Sequence, residues 1–114
     1  VLVRPENPTN VGACARVVRN AGAQGLDLVE PGDWRTVDCW RTAWGAQEVL
    51  EEARVFPDLD SALGGVALAV ALSGRRTAVG APVDIREAAG SIAALGATEE
   101  ARLVFGPETN GLTN

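Results

Sequence analysis

The sequence predicts a single α/β domain over residues 1–114, a parallel sheet with helices on both faces. Three observations carry this. Short apolar segments alternate with helix-period segments along the whole chain, and strand–helix–strand order implies parallel pairing through right-handed crossovers. Val11, Cys14, Ala15, Val18 and Gly22 fall at i, i+3, i+4, i+7 and i+11, the apolar stripe of one helix. Val66 to Leu72 is an uninterrupted apolar run, the mark of a central parallel strand covered on both faces.

Taken in order, Val1-Leu2-Val3 reads as a short buried strand, interrupted by Pro5 and Pro8. The apolar stripe makes residues 10–23 a helix, with Thr9 or Asn10 as its cap and the Gly22/Gly25 region as its end. Leu26 to Val29 is a strand closed by Pro31-Gly32. Residues 38–53 read as helical, either continuous or as two pieces joined at Gly45, with Trp40, Ala43, Trp44, Gln47 and Leu50 on one face. Arg54 to Phe56 is a short strand, and a brief helix runs from Pro57-Asp58 to Gly64-Gly65. Asp84 with Glu87 resembles a capping box for a helix through Leu95, with Gly96 as C′ residue. Arg102 to Phe105 is the last strand, followed by Gly106-Pro107. No internal repeat, low-complexity tract or linker interrupts this pattern.

Composition removes several chemistries. The chain has 46% hydrophobic residues, enough for a core, but no His. There is thus no imidazole base, no Ser-His-Asp triad and no His-ligated zinc. Cys14 and Cys39 cannot form a four-thiolate site and read as a reduced intracellular pair. The absence of an 18-residue apolar run and of a charged leader speaks against a membrane span or signal peptide. The net charge of −5 argues against a nonspecific nucleic-acid binder. It leaves room for a local cluster, because all ten basic residues are Arg, the side chain suited to bidentate phosphate contacts. Residues 1–50 hold five Arg against six acids, and residues 51–114 hold five against nine. A chain starting at Val1 and stopping at Asn114, straight after a functional-looking loop, reads as part of a longer protein, with a complete small domain that has a processed start as the alternative.

Ligands of open parallel sheets sit at the carboxyl ends of the strands. There the sequence places residues 7–12, 73–76 and 106–114. In the first stretch, Asn10 stands at a helix start, where free N–H groups can meet an anion. Gly12, Arg16 and Arg19 follow at i, i+4 and i+7, on the face away from the apolar stripe. Small residues at 12, 13 and 15 would let another backbone or a substrate approach. Taken alone, these read first as an N-capping Asn and two solvated arginines. The second stretch is Leu103-Val104-Phe105-Gly106-Pro107-Glu108-Thr109-Asn110-Gly111-Leu112, a strand delivering a Gly-bounded turn that could wrap a flat ligand and aim Glu108 inward. Its plain alternative is a strand-end turn with a solvent-facing Glu. Ser73-Gly74-Arg75-Arg76 is a third turn, with Arg76 read as solvated and Arg75 left open. Neither a dinucleotide fingerprint nor a P-loop is present. Trp34, Trp40 and Trp44 read as core or interface residues rather than base-stacking ones.

The first two stretches occur in this order some 90 residues apart. Val3 to Gly32 resembles the first motif of the SpoU/TrmH family of RNA 2′-O-ribose methyltransferases, in the SPOUT superfamily. Leu103 to Asn114 resembles that family's second motif. Ala43-x-Gly45-Ala46, Arg54 to Leu63 and Val66 to Arg76 fit between them. The tRNA-acting, TrmJ-like branch looks closest, chiefly through Val-Phe-Gly-Pro-Glu-x-x-Gly-Leu-Thr-Asn. The resemblance implies S-adenosylmethionine as methyl donor, no metal and a SPOUT-type fold with a C-terminal knot. It also implies a cytoplasmic homodimer with its active site at the subunit interface, acting on tRNA in preference to rRNA. Carried over, Asn10, Arg16 and Glu108 match catalytic positions. Leu72, Ser73, Gly74, Gly106, Pro107 and Glu108 match cofactor contacts, and Arg16, Arg19 and Arg75 match substrate contacts. Arg16 is no literal base, since a guanidinium stays protonated. The reading gives it the adjacent phosphate and the developing charge on the 2′-oxygen.

Two departures stand out. The family's third motif would follow Asn114, so this chain by itself is expected to lack a complete pocket and knot and to bind cofactor weakly. Asn110 stands where many relatives carry Arg. A noncatalytic RNA-binding or dimerisation module of the same fold is the alternative.

Overall fold

The computed structural model describes residues 1–73 and 83–112. Its elements are β1 (Leu2–Val3), α1 (Pro8–Ala21), β2 (Asp27–Val29), α2 (Val37–Thr42), α3 (Gln47–Glu51), β3 (Arg54–Phe56), α4 (Leu59–Ala62), β4 (Leu68–Leu72), α5 (Ile85–Ala93) and β5 (Ala101–Phe105). The strands form one parallel sheet in the order β3-β2-β1-β5-β4. No helix among the described residues is long and apolar enough to cross a membrane.

Helix α1 begins earlier than expected. Neither Thr9 nor Asn10 caps it; Asn7 does, its side chain accepting from Thr9 N–H at 3.0 Å, with Pro8 opening the helix. Proline is tolerated there because its missing N–H would have had no helical partner. Asn10 thus lies inside the first turn. Gly22 ends the helix in left-handed backbone (φ 70°), a conformation that strains a residue with a Cβ.

Successive strand residues face opposite sides of a sheet, and each side has its own core. On one, Leu28 joins Val11 and Ala15 of α1 and Cys39, Ala43, Ala46 and Leu50 of the α2–α3 segment. On the other, Val3, Val29 and Val104 pack with Ala62 of α4, flanked by Phe56, Leu59 and Leu112. Helices therefore cover both faces, as the sequence predicts.

Three expectations are corrected. Residues 66–72 do not form a central strand covered on both faces among the described residues: there β4 pairs with β5 alone, at one end of the described sheet, and its residues alternate between half-buried and exposed. In the described sheet the centre is two-residue β1. Trp44 leaves the expected helix face and is 78% exposed. Helix α2 stops at Thr42 and Gly45 turns with φ 83°, so the buried set becomes 39, 43, 46 and 50. Gly12 is not on the face away from the core. It is buried against α2, where a Cβ would lie 2.1 Å from both the Cys39 carbonyl oxygen and Thr42 Oγ1. The Thr42 hydroxyl is 2.8 Å from the Thr9 carbonyl, to which it can donate.

Trp34 is a core residue and stacks on Trp40 (centroids 6.1 Å apart), with the Arg35 guanidinium over both rings. At the amino ends of the strands, Asp27 is buried. Arg54 donates to its two carboxylate oxygens at 2.9 and 3.0 Å, and Arg102 Nε lies 3.5 Å away. Arg102 also donates to Glu100 at 2.7 Å. This network ties β2, β3 and β5 together at the end opposite the loops with the candidate residues.

Candidate active site

Strand β1 has β2 on one side and β5 on the other, so the chain leaves the sheet centre in both directions. Crevices of parallel sheets open at such a switch point. Here the segment after β1 and the loop after β5 meet and are bound reciprocally. The Glu108 carboxylate accepts from Glu6 N–H at 3.0 and 3.1 Å and from Asn7 N–H at 2.6 Å. The Glu6 carboxylate accepts in return from Thr109 N–H at 2.9 Å and Thr109 Oγ1–H at 2.8 Å. The Asn10 side chain also favours the ionised Glu108 carboxylate. Glu108 therefore holds the cap residue of α1 through its N–H.

The loop after β5 depends on glycine. A Cβ on Gly106 would fall 2.2 Å from Leu112 N and 2.3 Å from the Gly111 carbonyl carbon. Gly111 N–H donates to the Pro107 carbonyl at 2.8 Å, and Gly111 takes φ 66°. The loop thus folds back on its own origin. Between it and the segment after β1 lies an open crevice of about 300 Å³, bounded by Arg4, Glu6, Pro107, Thr109, Asn110 and Gly111.

Strand register brings a second group together. Leu72 is level with Phe105, so Leu72-Ser73 ends beside Gly106-Pro107. Arg16 is exposed, two turns along α1, with no ion pair among the described residues. Arg19 is bound by Glu48 of α3, which ties α1 to α3. Gly74 and Arg75 lie outside the described residues. Cys14 and Cys39 are free thiols, half-buried and buried, and burial pushes both thiol pKa values up. Among the described residues no group of carboxylates and thiols could hold a metal ion.

Comparison with known proteins bears on all of this. The family model described as the SpoU rRNA Methylase family matches residues 1–114. The chain belongs to that family. It is 39% identical to the tRNA (cytidine/uridine/adenosine-2′-O-)-methyltransferase TrmJ of Pseudomonas aeruginosa, over all of this chain and 45% of that protein. The crystal structure of TrmJ from Z. mobilis is 36% identical with a TM-score of 0.89, over 99% of this chain and 50% of that one. A probable methyltransferase from Bordetella pertussis is 38% identical with a TM-score of 0.87, over 99% and 71%. The chain spans about half the length of the curated relatives it matches.

Within this SpoU-family chain, the sequence singles out neither Arg4 nor Glu6, and it gives Asn7 and Thr109 no role of their own although both lie in the stretches it marks. Asn7 had a signal, since Asn followed by Pro is a cap-and-first-turn pair. Glu6 and Thr109 had none, because their pairing spans 103 residues.

Burial pushes the Glu108 carboxyl up. The N–H groups of Glu6, Asn7 and Glu108 itself, with the Asn10 side chain, outweigh that and hold it below the ordinary value of 4.5. A lowered folded-state pKa means stability that is present above the unfolded value and lost as pH falls through the folded one. Thermal melts from neutral to acid pH should therefore show Glu108→Gln less stable at neutral pH. The two proteins should converge only once the wild-type carboxyl protonates, below the ordinary glutamate range. A constant gap across that range would remove the charge from the account.

Proposed function

We propose that the protein of which this chain is part transfers a methyl group from S-adenosylmethionine to a ribose 2′-hydroxyl of tRNA, as a cytoplasmic homodimer. The observation that carries this reading is the Glu108 clasp. In a SpoU-family chain, it joins the first-motif helix to the second-motif loop at the sheet's switch point. The similarity to TrmJ supports tRNA over rRNA.

The described residues fit one face of such a cofactor. Leu72-Ser73 and Gly106-Pro107 lie side by side at adjacent strand ends, and the folded-back loop offers backbone donors and acceptors. They do not enclose it: the neighbouring crevice is open and lined by charged and polar groups, whereas small-molecule pockets are mostly apolar and bury most of the ligand. When bound, the group supplies an electrophilic sulfonium methyl.

The protein's own contribution is alignment and charge. Asn7, Asn10 and Glu108 fix the start of α1, and through the helix they set the direction of Arg16. The Arg16 guanidinium, unpaired among the described residues, is assigned to the phosphate beside the reacting ribose and to the charge that grows on the 2′-oxygen. A positioned donor of that kind is worth roughly 100- to 1000-fold in turnover. The 2′-hydroxyl proton leaves to a phosphate oxygen or to water, because Arg16 cannot accept it. Gly74 and Arg75 are assigned to the turn beside the cofactor and to substrate contact, and Arg19 to substrate through its helix position.

The test is methyl transfer to tRNA by the full protein, read as 2′-O-methylnucleosides after digestion. Arg16→Ala is expected to lose at least about 100-fold in turnover with an unchanged circular dichroism spectrum. Wild-type turnover in that variant overturns the role of Arg16. A wild-type protein that binds tRNA but shows no calorimetric heat with millimolar cofactor is a binding module instead.

A further inference from the structure

Among the described residues, two other than glycine have left-handed backbone, Arg4 (φ 46°) and Glu30 (φ 47°). They end the neighbouring strands β1 and β2 at the same level, following the paired residues Val3 and Val29. Each also precedes a proline, which further narrows the backbone it can adopt. Positive φ is disfavoured for a residue with a Cβ, and such strain collects where a site needs a side chain in a set place. Glycine would meet the backbone requirement at Arg4 more easily. The presence of arginine therefore asks what its side chain does.

The surroundings narrow the answer. Arg4 is held by its N–H, which donates to the Val29 carbonyl at 2.8 Å. Its side chain is exposed and borders the 300 Å³ crevice beside Glu6, Thr109 and Asn110 as well as the smaller crevice toward Glu30 and Asp58. Arg19, Arg41, Arg54 and Arg102 each pair with a carboxylate, whereas Arg4 has no ion pair among the described residues. The acid nearest in sequence, Glu6, is bound to Thr109. An unpaired guanidinium at the mouth of the switch-point crevice, beside the clasp that anchors the catalytic helix, suits a phosphodiester oxygen.

Resting on the reading of the chain as part of a tRNA methyltransferase, we propose that Arg4 binds a backbone phosphate of the RNA substrate. Its left-handed backbone holds the guanidinium at the crevice between the segment after β1 and the loop after β5. The contact is electrostatic and independent of base identity. It adds a further cation to Arg16 and places the RNA over the amino end of α1.

The test compares wild-type, Arg4→Gly and Arg4→Lys forms of the full protein. Affinity for a tRNA transcript is measured across a salt series, with cofactor affinity and thermal midpoint measured alongside. Arg4→Gly is expected to bind tRNA more weakly and to reduce the slope of log affinity against log salt by about 1. Its thermal midpoint should be equal to or above that of wild type, since strain is relieved, and its cofactor affinity unchanged. Arg4→Lys should keep the wild-type slope. An Arg4→Gly protein with wild-type tRNA affinity and slope overturns this proposal while leaving the methyltransferase reading intact. So does a loss of cofactor affinity in place of tRNA affinity. A wild-type protein that neither binds nor methylates tRNA overturns both.

Discussion

Arg54→Ala is expected to destabilise the fold by about 3 kcal/mol, read from the midpoint of chemical denaturation at neutral pH. Breaking a buried ion pair by removing one partner costs roughly 3–5 kcal/mol, because the other charge stays buried without compensation. Here that charge is Asp27, 8% exposed, which accepts from Arg54 at 2.9 and 3.0 Å. The lower end applies because Arg102 Nε still lies 3.5 Å away. Asp27→Ala is expected to cost less, about 1–2 kcal/mol, because Arg54 at 59% exposure can turn to water and Arg102 keeps Glu100 at 2.7 Å. The contrast is the test. If both substitutions cost the same, or Arg54→Ala costs under about 1 kcal/mol, the network does not hold the amino ends of the strands as described. Neither residue lies near the crevice, so the residual folded protein should retain its tRNA affinity.

Gly12→Ala should destabilise by about 2–3 kcal/mol, in the range of overpacked cores, although alanine is favoured over glycine in a helix by about 1 kcal/mol. The clash wins because one of the two atoms within 2.1 Å of the new Cβ is a backbone carbonyl of α2, which cannot rotate away. The other is the Thr42 hydroxyl. Thr42→Ala in the Gly12→Ala background should therefore recover part of the loss, and the double mutant should be more stable than the sum of the singles. Strict additivity would place the obstruction elsewhere. Because Asn7 and Asn10 start the same helix, Gly12→Ala is also expected to lower methyl transfer in the fraction that folds.

Most elements were legible in the sequence where local chemistry decides them. The alternation of strands and helices, the stripe through Val11, Ala15 and Val18, the break at Gly45 and the Asp58 cap of α4 depend on neighbours within a turn or two. The elements misjudged were those whose place depends on distant partners. Leu68–Leu72 read as central from its apolar content, which does not show which strands lie beside it in the described sheet. Gly12 looked like surface because nothing within its own helix shows that α2 will press against it.

The candidate site divides the same way. Asn10, Arg16, Gly106 and Glu108 stood out as residues, since Gly-rich turns at strand ends and a polar helix start are local features. What Glu108 touches was not legible. Its carboxylate is occupied by the N–H groups of Glu6 and Asn7, over 100 positions away, and Glu6 answers through Thr109. The partner that α3 supplies to Arg19, Glu48, was not legible either.

The sequence by itself therefore determined the fold class, the family resemblance and the residues worth watching, because periodicity, caps and turn glycines act over a few residues. Only the tertiary structure decided which strand is central, which arginines are paired and that Arg4 stands strained at the crevice. Those outcomes follow from β1 lying between β2 and β5, which brings opposite ends of the chain into hydrogen-bond contact.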